Sequence, residues 1–255
     1  MNNNRGEQVV GELRRRITAL IADFGITYDE YQAATQWLIE VGEAGEWPLV
    51  VALFEHTVEQ QAHKDRAGSQ GTILGPFYLP GAPVLQAPYE LPRRPDEKGE
   101  RLLITGRVLS ADGTPLPGAV LDVWQADADG LYSGFSQIPA GILRGKVITG
   151  TEGRFELRTI APAPYMVPHD GPFGRLLAAC GWHPWRPAHI HLIVSANQHE
   201  QLITQLFLGS SDYLDSDVAG AVKDPLIVHP QRHDGQLAFG YEFRLAPVCA
   251  AVPAG

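Results

Sequence analysis

The sequence predicts a mainly β protein, a β-sandwich preceded by an α-helical region. Two observations carry that reading. Apolar residues recur at helical spacing in the first quarter, then switch to alternation after Gly68. Glycine and proline, 27 and 20 in the whole chain, also become frequent there and separate several short strand candidates.

Val10, Leu13, Ile17, Leu20, Ile21 and Phe24 form one stripe of a first helix, with Gly25 as its stop. A second helix begins near Asp29 and places Tyr31, Ala34, Leu38 and Val41 on one face, ending between Gly42 and Gly45. Pro48 suits the start of a third, with Leu49, Leu53, Phe54 and Val58 on its apolar side. Such stripes serve either core packing or a dimer surface, and three short helices cannot bury two faces against one sheet.

Gly71 to Pro95 is a proline-rich connection carrying Gly75-Pro76-Phe77-Tyr78. Strand candidates follow at 102–109, 120–125, 146–149, 154–160, 189–195, 202–207, 226–228 and 238–245. Glu152-Gly153 is expected to close a hairpin. The stretch from Pro162 to Pro187 shows no strand pattern, and Leu176 to Ala179 suggests a helical turn or two. A long structured loop of this kind is usually functional. The expected organisation is a helical region over 1–68, the connection over 69–100 and a β-sandwich catalytic domain over 101–255.

Charge and cysteine usage narrow the function classes. There are 20 Lys plus Arg against 29 Asp plus Glu, a net charge of −9, which argues against a nucleic-acid surface. Cys180 and Cys249 form neither a disulfide framework nor a C-x-x-C site, so a cytoplasmic setting is expected. No apolar run approaches the roughly 20 residues of a membrane span.

The chemistry points to four residues. His189 and His191 are two apart on a strand, so both imidazoles face the same side, about 7 Å apart along it. Alone, the pair fits either a metal site or buried, hydrogen-bonded histidines. Trp182, Trp185, Pro187 and Arg186 give it a rigid, apolar approach with a cation close by. Tyr132 follows the turn Asp127-Ala128-Asp129-Gly130, and Tyr165 lies in a proline-rich run. Each tyrosine alone reads equally well as packing. Together, two phenolates and two imidazoles can ligate one ferric ion, for which the hard phenolate oxygen is suited. A structural metal in a non-enzymatic β-sandwich binding protein is one alternative. An Fe(II) site with two histidines and a carboxylate, Asp122 or Glu156, is another.

Leu121-Asp122-Val123-Trp124-Gln125 with Asp129-Gly130-Leu131-Tyr132-Ser133, Arg144-Gly145-Lys146, Pro164-Tyr165, Arg186-Pro187-Ala188-His189-Ile190-His191 and Thr204-Gln205 resemble the intradiol ring-cleavage dioxygenases. Gly75-Pro76-Phe77-Tyr78 and the helical N-terminus extend the likeness over most of the chain, nearest to the catechol and chlorocatechol 1,2-dioxygenase branch. The resemblance implies one Fe(III) per chain, with Tyr132 and His189 equatorial and Tyr165 and His191 axial. It implies that Arg186 stabilises charge on the bound diol, that Gln205 is a second polar contact and that Tyr165 is a base. It implies cleavage of catechol or a chloro- or methylcatechol by O2 to a cis,cis-muconate in aromatic catabolism. Hydroxyquinol, giving maleylacetate, is the rival substrate. By the same likeness Leu49, Ala52, Ile73, Pro76 and Tyr78 line the ring pocket, with Arg186 and Gln205. That pocket is apolar and has no evident arginine for the carboxylate of protocatechuate. A homodimer through the N-terminal helices is implied, in a family that can hold a lipid at that joint.

Overall fold

The computed structural model describes residues 3–248, with side chains from Arg5 onward; Cys249 lies outside the described residues. The helical region contains α1 (Asn3–Phe24), α2 (Tyr28–Glu43) and α3 (Trp47–Ala62). Gly25 ends α1 with φ 61°. Thr27 caps α2 reciprocally: Glu30 N donates to Thr27 Oγ1 at 3.3 Å, and Thr27 N donates to Glu30 Oε2 at 2.8 Å. The α1 stripe is exposed along its length, Leu13 at 56% and Phe24 at 79%.

By its internal contacts the chain forms two units, one ending at Trp47 and one starting at Pro48. From Pro48 on, α3 therefore belongs with the sheets, although its sequence groups it with the other helices.

The second unit holds β1 (Arg101–Ser110), β2 (Val120–Gln125), β3 (Arg144–Ile148), β4 (Arg154–Ile160), β5 (Tyr165–Met166), α4 (Pro172–Cys180), β6 (Trp185–Arg186), β7 (His189–Ser195), β8 (Leu202–Leu208), β9 (Ile227–Val228), β10 (Gln231–His233) and β11 (Gln236–Leu245). Strands β10-β11-β1-β4 form one sheet and β3-β2-β7-β8-β9 the other. Leu102, Ile104, Leu157, Phe239 and Phe243 of the first sheet pack with Leu121, Val123, Ile190, Leu192, Val194 and Leu206 of the second in one buried core. This is the expected sandwich: alternation buries one face of each strand and frees the other for different use.

Glu152-Gly153 does not close a hairpin. Strand β3 pairs with β2 while β4 pairs with β1, so this turn carries the chain from one sheet to the other. Glu152 adopts φ 59° within it. The sequence marks a turn here, but whether the flanking strands pair is decided by which sheet buries each of them.

The 162–187 stretch is more ordered than its sequence suggests. Its prolines flank a two-strand ribbon in which Tyr165 pairs with Arg186 and Met166 with Trp185. Helix α4 runs for 9 residues between the two strands, with Pro172 at its start and Gly181 in the left-handed conformation at its end. Cys180, in its last turn, is exposed.

Candidate active site

The outer face of the five-stranded sheet carries the site. Ile190 and Leu192 point into the core, so His189 and His191 project from the opposite face of β7. In register, His191 lies between Trp124 of β2 and Gln205 of β8, and His189 lies beside Phe207. The Trp124 indole stacks on His191, with centroids 4.7 Å apart and planes 9° from parallel.

The two tyrosines arrive on loops. After β2 the chain turns around Asp127, whose Oδ1 accepts from the backbone N–H of Asp129 and of Leu131, each at 2.9 Å. Gly130 has φ 82°, and a Cβ there would lie 2.9 Å from that of Tyr165, so this turn and the Tyr165 ribbon approach closely only with glycine. Buried Arg144 secures the far side, donating through Nε to Ser133 Oγ and through Nη2 to Ser133 O, both at 2.9 Å. Phe77 stacks on Tyr132 at 4.5 Å and meets Tyr165 edge-on at 6.0 Å. Tyr132 and Tyr165 meet edge-to-face at 5.2 Å.

Their polar atoms converge with those of the histidines. His189 Nδ1 lies 2.7 Å from Pro187 O, and a carbonyl only accepts, so this nitrogen carries the proton. Its Nε2 lone pair then faces Tyr132 Oη at 3.3 Å, Arg186 Nη1 at 3.2 Å and His191 Nε2 at 3.0 Å. The Tyr165 ring lies 5.6 Å from that of His189. Burial, aided by Arg186, pushes His189 down to about 3; burial, then His189 and Arg186, holds His191 well below the usual imidazole range. Both rings are therefore neutral donors at pH 7. Burial lifts the Tyr132 phenol well above its ordinary value and raises that of Tyr165, against the pull of Arg186. Two phenols that resist ionisation, gathered with two imidazole nitrogens around one point, suit a cation strong enough to stabilise phenolate.

Arg186 is the fixed positive charge. It is 2% exposed, and so is its partner Asp217, whose Oδ1 accepts from Nε at 2.9 Å and whose Oδ2 accepts from Nη2 at 3.1 Å. Nη2 also donates to Gln205 Oε1 at 2.9 Å, and Gln205 Nε2 donates to Ile73 O at 2.8 Å. Both ends of the Gln205 amide are thus engaged, which makes it a brace for Arg186.

A small apolar cavity opens beside Arg186 and Tyr165. Of the residues expected to line a ring pocket, Leu49, Ala52, Ile73, Pro76 and Arg186 are on its wall; Tyr78 and Gln205 are not. The Tyr78 hydroxyl donates to Asp122 Oδ2 at 3.1 Å and its ring packs on Trp124 at 4.9 Å, so it supports the site from behind. Leu53, Val167, Phe173, Val218 and Ala219 complete the wall. Their sequence pattern is that of ordinary core residues and carried no signal. Asp217 accepts from the backbone N–H of Ala219 and Ala221. Its pairing with Arg186 could be inferred only from the need of a buried guanidinium for a counter-charge.

The carboxylates considered for a two-histidine, one-carboxylate site are committed elsewhere. Asp122 binds Tyr78 and Lys146, while Glu156 lies on the other sheet and binds Arg158. Among the described residues no group of three or more His, Cys, Asp or Glu is placed to hold a metal.

Comparisons with known proteins cover nearly the whole chain. A family model described as "Catechol dioxygenase N terminus" matches residues 3–70, and one described as "Dioxygenase" matches 73–247. A chlorocatechol 1,2-dioxygenase of Rhodococcus opacus is 44% identical over 232 residues, 88% of this chain and 90% of that one. A hydroxyquinol 1,2-dioxygenase of a Rhizobium species is 37% identical over 245 residues, 92% and 82% of the two chains. The crystal structure of 3-chlorocatechol 1,2-dioxygenase from Rhodococcus opacus 1CP superposes with a TM-score of 0.92 at 44% identity, covering 97% of this chain and all of that one.

Proposed function

This chain belongs to the intradiol ring-cleavage dioxygenases, oxidoreductases that open an aromatic diol with both atoms of O2, and we propose that it does so on one Fe(III) held by Tyr132, Tyr165, His189 and His191, with catechol or a chlorocatechol as substrate. The observation that carries the ligand assignment is the convergence of Tyr132 Oη and His191 Nε2 on His189 Nε2, at 3.3 and 3.0 Å, with the Tyr165 ring 5.2 Å from that of Tyr132 and 5.6 Å from that of His189. What such an ion supplies is Lewis acidity, which lowers the pKa of a bound diol, and redox contact with its ring.

The protein supplies the rest. Arg186, buried and locked, presents Nη1 toward the donor centre, where a fixed cation stabilises developing negative charge without reorganisation. Tyr165 Oη, beside that guanidinium, is the base placed to take a diol proton. The apolar wall excludes water and holds the ring and its substituents. It carries no second arginine to pair a substrate carboxylate. Hydroxyquinol ranks behind catechol because its third hydroxyl would meet this wall without a partner, although apolar pockets reject an added hydroxyl only weakly.

The exposed α1 stripe supports a homodimer through the N-terminal helices, and native mass spectrometry would read both the dimer and any lipid held there. No described helix is long and apolar enough to cross a membrane; sparse cysteine usage supports a cytoplasmic setting.

The test is iron content, visible colour and oxygen uptake with catechol, 3- and 4-chlorocatechol, methylcatechols and hydroxyquinol, with products identified. Red protein holding one iron per chain and forming muconates is the expected result. Colourless iron protein, or products of cleavage outside the diol bond, would defeat the proposal.

A further inference from the structure

The residues from Asp217 to Ala221 form a single turn with three tasks. The Asp217 carboxylate clamps the guanidinium of Arg186, its Oδ1 and Oδ2 meeting Nε and Nη2. The same two oxygens accept from the backbone N–H of Ala219 at 3.2 Å and of Ala221 at 3.1 Å. Between them, Val218 and Ala219 form part of the cavity wall where a substrate ring would lie. On its other side the turn lines an outer groove with Leu53, Phe54, Trp182 and His183. Val218 N donates to Trp185 O at 3.2 Å, which ties the turn to the ribbon bearing Arg186.

The guanidinium has five N–H donors in a rigid fork. Asp217 takes one edge of it and Gln205 takes Nη2 as well, so Nη1 alone is left facing the donor centre, 3.2 Å from His189 Nε2. A free arginine side chain would sample many rotamers, whereas this one is pinned from behind. The pin is built into the peptide segment that touches the ring.

Resting on the function proposed above, we infer that Asp217 is a positioning residue that sets which nitrogen of Arg186 faces the reacting diol and transmits the fit of the ring at Val218 and Ala219 to that nitrogen. A substituent that displaces the wall displaces the Asp217 oxygens, and with them Arg186. Discrimination between catechols then arises in the rate of the chemical step as well as in binding.

Asp217→Asn tests this. The amide is nearly isosteric, but its NH2 faces a donor of Arg186 where a carboxylate oxygen stood. The expected outcome is a fall in kcat of about 10- to 100-fold with KM changed less than threefold, the pattern of an interaction made in the transition state. Iron content and the visible band should stay as in the wild type, because Asp217 touches no proposed ligand. The ratio of kcat for catechol to that for 4-chlorocatechol should also move. In an Arg186→Lys background the Asp217→Asn step should cost less than twofold, since the fork it positions is gone. Should Asp217→Asn melt below the assay temperature, Asp217→Glu carries the same comparison: it keeps the charge but moves the oxygens outward, and should show the same kcat defect at partial strength. Wild-type kcat in a folded, iron-loaded Asp217→Asn protein, or an equal loss in both backgrounds, would overturn the inference. A wild-type protein that binds iron but opens no diol would instead overturn the underlying function.

Discussion

Trp124 offers a test of how the sheet holds one proposed metal ligand. His189 is oriented by a hydrogen bond from Nδ1 to Pro187 O, but His191 Nδ1 is buried with no hydrogen-bond partner. The orientation of the His191 ring therefore depends on packing, chiefly the parallel indole at 4.7 Å. Trp124→Leu removes that plane from a site where the tryptophan is 1% exposed. Large-to-small replacements of this kind cost about 3 kcal/mol of stability. The stacking share is about 0.5–1.5 kcal/mol. If that share is what holds the ring, iron affinity falls about 2- to 13-fold, at 1.36 kcal/mol per factor of ten. Trp124→Phe keeps an aromatic plane. Both replacements delete the Trp124 Nε1 donor, which is buried without a partner, and this relief of about 1–3 kcal/mol offsets part of the lost volume in each, most fully for the larger phenylalanine. The phenylalanine variant should thus lie within about 1 kcal/mol of wild type and within about twofold in iron affinity. Urea unfolding of the iron-free proteins gives the first quantity, and competition with a chelator, followed through the visible band, gives the second. The reasoning fails if the leucine variant is destabilised yet holds iron like wild type, or if both variants lose iron equally.

Three further outcomes are expected. Tyr165→Phe should bleach or strongly shift the visible band and abolish most turnover with fold retained; wild-type colour and rate would remove Tyr165 from the ligand set. Gly75→Ala should cost about 1–2 kcal/mol in a melt, because Gly75 sits at φ 73° and the new Cβ would lie 3.4 Å from His191 Cε1. Ile17→Asp, placed in the exposed α1 stripe, should convert a dimer to monomer by sedimentation while leaving the β-sandwich melt within about 0.5 kcal/mol.

The fold and the paired histidines could be read from local pattern because each leaves a short-range mark. Alternation announces strands such as 120–125 and 189–195, both found at those bounds, and H-x-H on a strand forces two imidazoles to one face. Family likeness then singled out Tyr132 and Tyr165 from other loop tyrosines. Other features left no mark, since they depend on partners distant in the chain. Glu152-Gly153 looks like a hairpin until β3 and β4 join different sheets. The Tyr78 hydroxyl finds Asp122, 44 residues away, with no local sign of it. Asp217 shows no local sign of its partner, because Arg186 lies 31 residues earlier. Periodicity and turn chemistry act over a few residues and belong to the chain itself. Charge pairing, ring stacking and cavity shape are set by atoms that meet only when the sheets close, and only the tertiary structure decides them.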